Sequence, residues 1–420
     1  MQVHSYTTVE AFEKRTLPNG VRVLAQHVPA TYSVVLGVFV HVGSRDEDRR
    51  WCGISHFVEH MVFKGTQRRT AFDLALALER VGGSLEAHTT KEYTCFYTRV
   101  LREHFDLALD VLSDLVLNPT HPPDQLALEQ GVVVEEINNV FDNPEDWIFE
   151  ILAEKCYGAH PLARPILGTP ESVNGLTQAD LQSFMRQAYV GGNMFIGVAG
   201  DIEVERCIAQ IEAAFPVAPG RFEHTRAPFA PTRRGTFVQT DDKLTQQYLA
   251  MACSSLSYED DDRFPLLLTS TLLGGGMSSR LFQSVRENAG LCYSINTFAE
   301  FARDGGLAGC FMAVSPENSA AALDLVWKEY DKIRHDGISE QELRDNRDQL
   351  KGSMLLGLEN VASKMSRLAK NEMYYGRQIQ TAEILQRLDA ITRDDVARMV
   401  ESHFHPDRTL LVGLGPLAKL

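Results

Sequence analysis

A chain of 420 residues exceeds what one ordinary hydrophobic core needs and implies two domains or more. Hydrophobic residues make up 44% and charged residues 23%, the balance of a soluble globular protein with no apolar run long enough to span a bilayer. A formal net charge of −15 repels nucleic-acid phosphates and suits basic or extended peptides.

Residues 1–6 lack the basic region and apolar run of a secretory signal, and the Arg-rich amphipathic pattern of a transit peptide. Seven scattered cysteines (Cys52, Cys95, Cys156, Cys207, Cys253, Cys292 and Cys310) fit buried thiols in a reducing compartment, and a cytoplasmic protein is expected. Leu17-Pro18-Asn19-Gly20 predicts a hairpin turn, followed by an alternating strand at 21–28 and a nearly continuous apolar strand at 33–42.

A polar loop at 43–50 leads into a helix at 54–65. His56 and His60 lie four apart on it and project from one face, with Glu59 close to the same arc. Two imidazoles at that spacing can share one divalent metal, and the intervening carboxylate can act on water beside it. Phe57, Val58, Met61, Val62 and Phe63 make the setting apolar, where a metal is a strong Lewis acid.

A second helix is predicted at 70–81, ended by Gly82-Gly83, then a hairpin at 84–97 and a helix at 101–117. Residues 124–141 read as a helix opened by Pro122-Pro123 and stopped before Asn143-Pro144. Glu129 and Glu136 are seven apart and nearly share a face, whereas Glu135 points about 100° away. Two His and one Glu would give zinc three protein ligands and leave a fourth position for water. The loop at 160–168 is expected to be structural. A helix follows at 177–189, a strand at 193–199 and a helix at 203–214.

Residues 216–235 read as a linker, rich in proline (Pro216, Pro219, Pro228, Pro231) and arginine (Arg221, Arg226, Arg233, Arg234). The second half then repeats the plan of the first. Strands are predicted at 247–254, 293–301, 306–314 and 410–414. Helices are predicted at 264–273, 316–334, 340–358 and from the Thr392 cap to Phe404. The 264–273 helix, which corresponds to the one bearing His56 and His60, carries no metal ligands. Gly274-Gly275-Gly276 lacks the Lys-Ser/Thr and the spacing of phosphate-binding loops. His403-Phe404-His405 has no acidic partner and reads as surface.

His56-x-x-Glu59-His60 followed by Glu136, within Glu129-Gln130-Gly131-Val132-Val133-Val134-Glu135-Glu136-Ile137, resembles the pitrilysin-type inverted-zincin metallopeptidases. The similarity is to their short-chain branch of bacterial processing-peptidase-like proteins and the mitochondrial processing peptidase β subunit. It spans essentially the whole chain. The resemblance implies one zinc ion per chain held by His56, His60 and Glu136, with Glu59 as general base and Glu129 supporting the site. Gln130 departs from the family, where a basic residue is common. The resemblance also implies that Leu85, Glu86, Ala87 and His88 form an edge to which substrate backbone adds as a strand. Arg286 and Tyr293, following Gly274-Gly275-Gly276, would bind the substrate carbonyl.

The fold expected is α+β, with a zinc-binding domain at 1–215, the linker at 216–235 and a homologous domain at 236–420. Each would be a mainly antiparallel sheet with helices on one side, the two facing across a cleft. The function implied is zinc-dependent hydrolysis of short or unfolded peptides by a homodimer, without nucleic-acid or membrane partners. The alternatives are a non-catalytic scaffold subunit and the catalytic half of a heterodimer.

Overall fold

The computed structural model describes residues 10–226, 229 and 234–420. Residues 1–6, and Pro228, Pro231 and Arg233 of the expected linker, lie outside the described residues. Two compact units form, and neither is continuous in sequence. The first gathers the described residues of Met1–Asn139 with Arg164–Arg226 and Leu356–Gln380; the second gathers those of Val140–Ala163, Ala227–Leu355 and Thr381–Leu420.

Strands β1 (Glu13–Thr16), β2 (Arg22–His27), β3 (Ser33–Val40), β4 (Ser84–Thr89), β5 (Thr94–Leu101) and β6 (Met194–Gly200) build the first sheet. Their order is β1-β2-β6-β3-β5-β4, antiparallel except where β2 lies beside β6. The second sheet contains β7 (Gly235–Thr240), β8 (Gln247–Ser255), β9 (Cys292–Ala299), β10 (Gly306–Val314) and β11 (Leu410–Gly415). Its order is β7-β11-β8-β10-β9, antiparallel except where β11 lies beside β7. The series β2-β6-β3-β5-β4 and β7-β11-β8-β10-β9 match strand for strand, including the one parallel pair. This shared wiring is the repeat predicted from the sequence.

The helices of the first half are α1 (Ile54–Val62), α2 (Ala71–Glu79), α3 (Phe105–Leu117), α4 (Pro123–Asp142), α5 (Pro144–Tyr157), α6 (Pro170–Asn174), α7 (Gln178–Ala188) and α8 (Val204–Ala214). Those of the second half are α9 (Arg263–Gly274), α10 (Ser319–Asp336), α11 (Glu340–Gly357), α12 (Val361–Tyr375), α13 (Thr381–Ala390) and α14 (Arg393–His403).

In the first unit the period of two along β3 sends Val34, Leu36, Val38 and Val40 into one core. Ile54, Phe57 and Met61 of α1, Leu109 and Leu112 of α3, and Leu181 of α7 share it. The opposite face of the sheet is covered by α12, which arrives from far along the chain to lie on β6, β3 and β2. Gly37 permits this approach, because a Cβ there would lie only 2.7 Å from Met365 Sδ. In the second unit Leu249, Met251, Cys310 and Met312 meet α9, α10 and α14. Ala250, Phe311 and Val412 on the other face meet Ile148, Ile151 and Leu152 of α5. Each unit is therefore an α+β domain with its main helical layer on one side of the sheet. The other side takes a single helix exchanged from the opposite half of the chain.

Several elements differ from the sequence reading. Strand β5 runs through Leu101, where a helix was expected, because its residues up to Leu101 keep pairing with β3. Asn143-Pro144 ends α4 but also starts α5: Asn143 accepts a hydrogen bond from Glu145 N, and proline fits the first helical turn. Helices α12 and α13 and strand β7 were not predicted. Residues 216–226 are tied down: Gly191 N donates to Ala218 O, and Arg226 is ion-paired with Asp46 and Glu92. His403 is buried in the last turn of α14, its Nδ1–H donating to Met399 O, which corrects its reading as surface. All seven cysteines are free thiols, six buried and Cys292 half-buried. Among the described residues no helix is long and apolar enough to cross a membrane.

Candidate metal centre

Helix α1 is anchored by its apolar residues and by its first turn. Ile54, Phe57, Val58, Met61 and Val62 are fully buried, each stabilising by about 1.5–3 kcal/mol. Its first turn is held by Glu47, whose two carboxylate oxygens accept from Gly53 N at 2.7 Å and Ser55 N at 2.8 Å. Burial pushes the Glu47 carboxyl up to about 8 against those hydrogen bonds. Gly53 takes a φ of +91°, and a Cβ there would strike Leu167 O at 2.7 Å. The second half of the 160–168 loop thus has the structural role expected of it.

The face of α1 that remains carries His56, Glu59 and His60. Helix α4 brings Glu136 against them, so that one ligand atom from each of His56, His60 and Glu136 lies within 4.8 Å of the others. Glu136 Oε2 is 3.7 Å from His56 Nε2 and 3.5 Å from His60 Nε2. Burial, and secondarily the neighbouring His60, pushes His56 down to about 3, which keeps its imidazole neutral. Neutral imidazole is the form that ligates metal.

Glu129, one face-repeat earlier on α4, is buried and joins His60 Nδ1 at 2.8 Å. Its other oxygen pairs with Lys64 Nζ at 2.6 Å. Burial works to raise the Glu129 carboxyl, but the hydrogen bonds from His60 and Lys64 outweigh it and leave it below the ordinary range. With Nδ1 of His60 engaged, its Nε2 is the nitrogen left to face Glu136. This donor set of two imidazole nitrogens and one carboxylate oxygen is the one catalytic zinc takes, and the supporting acid behind a ligand His is its usual companion. The residues fit zinc. Glu135 is exposed, as its helical angle predicts.

Glu59 projects beside the ligands, and its Oε2 accepts a 2.6 Å hydrogen bond from Thr89 Oγ1 at the end of β4. Burial raises the Glu59 carboxyl, and Glu136 adds to that; Thr89 and His60 oppose it, and the balance lies above the ordinary range. Strand β4 is the terminal strand of its sheet. On it Glu86 and His88 are exposed, while Leu85 and Ala87 are half-buried against the core.

In the second unit, Arg286 lies in the π-helical turn Phe282–Asn288 and Tyr293 on β9, the terminal strand of that sheet. The Arg286 guanidinium sits 4.6 Å from the Phe282 ring centroid and 5.4 Å from that of Tyr293, a residue 76% exposed. Gln130, the departure noted in the sequence, donates to Val173 O and Leu176 O at 3.0 Å and ties α4 to the end of α6. The sequence reading missed Thr89, Lys64 and Glu47. Lys64 had a usable signal, one turn beyond His60; Thr89 and Glu47 had none, because their partners are set by tertiary contacts.

The chain is similar to known proteins along nearly its whole length. Residues 22–170 match the family described as insulinase (peptidase family M16), and residues 175–350 match the peptidase M16 inactive domain. An uncharacterized zinc protease of Streptomyces coelicolor is 34% identical over 96% of this chain and 89% of its own length. Another from Bacillus subtilis is 35% identical over 95% and 97%. A crystal structure described as a peptidase M16 inactive domain from Pseudomonas fluorescens superposes with a TM-score of 0.90 at 23% identity, covering 97% of this chain and 98% of that one.

Proposed function

The chain belongs to the insulinase (M16) peptidase family, and from that premise we propose that it is a zinc-dependent endopeptidase acting on short or unfolded peptides. The observation that carries this reading is the convergence of His56, His60 and Glu136 within 4.8 Å, with Glu59 beside them. In this reading the three hold one zinc ion per chain, which when bound supplies Lewis acidity and lowers the pKa of water toward neutrality. Glu59 has one oxygen engaged by Thr89. Its Oε1 takes the proton of the attacking water and returns it to the leaving amine.

Substrate backbone adds to the edge strand at Leu85, Glu86, Ala87 and His88, a role supported by the terminal place of β4 in its sheet. On the family resemblance, Arg286 and Tyr293 bind the substrate carbonyl, where charge develops. Both motifs occur in one chain, which supports a self-sufficient homodimer. A cytoplasmic setting is supported by the free thiols.

The test is cleavage of an internally quenched peptide of mixed sequence by the purified chain, with chelator and then with zinc restored. Chelator-sensitive cleavage that zinc restores is the expected result. Folded chain that purifies without zinc and binds none would overturn the reading in favour of a non-catalytic scaffold. Folded, zinc-loaded chain that cleaves only after a second subunit is added would make it half of a heterodimer.

A further inference from the structure

We propose that Lys64 is a positioning residue for the metal centre, holding Glu129 in the one arrangement that fixes His60 as a ligand. The proposal rests on the reading of His56, His60 and Glu136 as a zinc site.

Lys64 lies in the turn that closes α1, its N–H donating to Met61 O at 3.2 Å. It therefore stands one helical turn beyond His60 and on the same side. The two side chains grip one carboxylate between them. His60 Nδ1 is 2.8 Å from Glu129 Oε1, and Lys64 Nζ is 2.6 Å from Glu129 Oε2.

Glu129 is only 5% exposed, and a buried carboxylate is costly unless a counter-charge meets it. A neutral imidazole can donate one N–H but brings no charge. The ammonium of Lys64 is the cation in contact with Glu129 among the described residues. Without it the buried carboxylate turns toward water and ceases to be a fixed acceptor for His60 Nδ1.

The consequence falls on the tautomer. Glu129 holds the His60 proton on Nδ1 and so leaves the lone pair on Nε2, the atom 3.5 Å from Glu136 Oε2. With that acceptor lost, the proton can move to Nε2 and close the ligand position. His56 has no such support, since its Nδ1 is buried without a hydrogen-bond partner among the described residues. Support of the ligands from behind is therefore concentrated on the His60–Glu129–Lys64 series.

The test measures zinc affinity, by competition with a chromophoric chelator, on wild type, K64M, K64R, E129Q and the double variant K64M/E129Q. Folding is followed by circular dichroism and thermal melting. K64M is expected to fold and to bind zinc about tenfold more weakly, the lower end of the range for groups that support a ligand. K64R is expected to restore most of the affinity. In the E129Q background, adding K64M is expected to change affinity by less than about threefold, since the series is already broken there. Folded K64M with wild-type affinity would overturn the proposal. So would a loss equally large with and without Glu129, which would mark a general charge effect. Should K64M fail to fold, K64Q, which keeps a donor and removes the charge, is expected to show the same weakening; wild-type affinity in K64Q would overturn it equally. Wild-type protein that binds no zinc would instead overturn the metal centre itself.

Discussion

Replacing Glu59 by Gln separates proton transfer from metal retention. Gln has the length of Glu and can offer its carbonyl oxygen to Thr89 Oγ1, which now donates to Glu59 Oε2 at 2.6 Å. The atoms that would hold zinc belong to His56, His60 and Glu136 and are untouched by the change. What the amide cannot do is accept the proton of water. General acid–base groups contribute about 10²–10⁴ in rate, which is about 2.7–5.4 kcal/mol of barrier. Burial raises the Glu59 carboxyl above its ordinary range, the direction that makes it a better base, and the expected loss spans that range. The assay is kcat and KM on a quenched peptide at saturating zinc, with metal content measured on the same sample. A fall in kcat with full zinc and little change in KM is expected. E59Q that is zinc-replete and keeps more than about a tenth of wild-type kcat would refute the assignment. A loss that tracks missing zinc would show instead that Glu59 acts by retaining metal.

Three further outcomes concern the frame around the site. Tyr374 donates at 2.8 Å to the buried Glu92, which also pairs with Arg45 at 2.6 Å; Y374F should cost about 1–3 kcal/mol, visible as a lower Tm with zinc content unchanged. G37A drives a Cβ against Met365 Sδ and should cost about 1–3 kcal/mol. In G37A/M365A the loss should be smaller than the sum of the two single losses, and simple additivity in denaturant melts would argue against that contact. His121 is buried with φ +48°, and burial pushes it down to about 4. In the unfolded chain it takes up a proton near 6.5 while the folded protein does not, so stability is full above that pH and falls as pH drops from 6.5 toward 4. The loss is at most about 3 kcal/mol. H121N, which tolerates positive φ, should flatten that acid limb; an unchanged pH profile of stability would exclude His121 as its source.

The local features of this protein were legible in its sequence because they depend on period and turn chemistry. A repeat of 3.6 places His56 and His60 on one face wherever a helix forms, Asn19-Gly20 closes its hairpin, and the hydrophobic alternation around Leu85 and Tyr97 makes the β4–β5 pair. The duplicated plan showed in the order of elements, and the two sheets share it strand for strand. Which acid on α4 meets the imidazoles was narrowed by helical angle and not decided by it. Glu129 and Glu136 nearly share a face, and only the crossing of α4 over α1 puts Glu136 at Nε2 of both histidines and Glu129 behind Nδ1 of one. Thr89 and Lys64 acquired roles in the same way, from partners 30 and 65 residues away. The exchange of α5 and α12 left no trace in the sequence reading, because each helix satisfies its own caps and periodicity wherever it docks. Its place is set by the sheet face it fits, Gly37 beneath Met365 in one unit and Ala250 and Phe311 beneath Ile148 and Ile151 in the other. Packing complementarity of that kind is a property of two distant surfaces together, and only the folded chain brings them into contact.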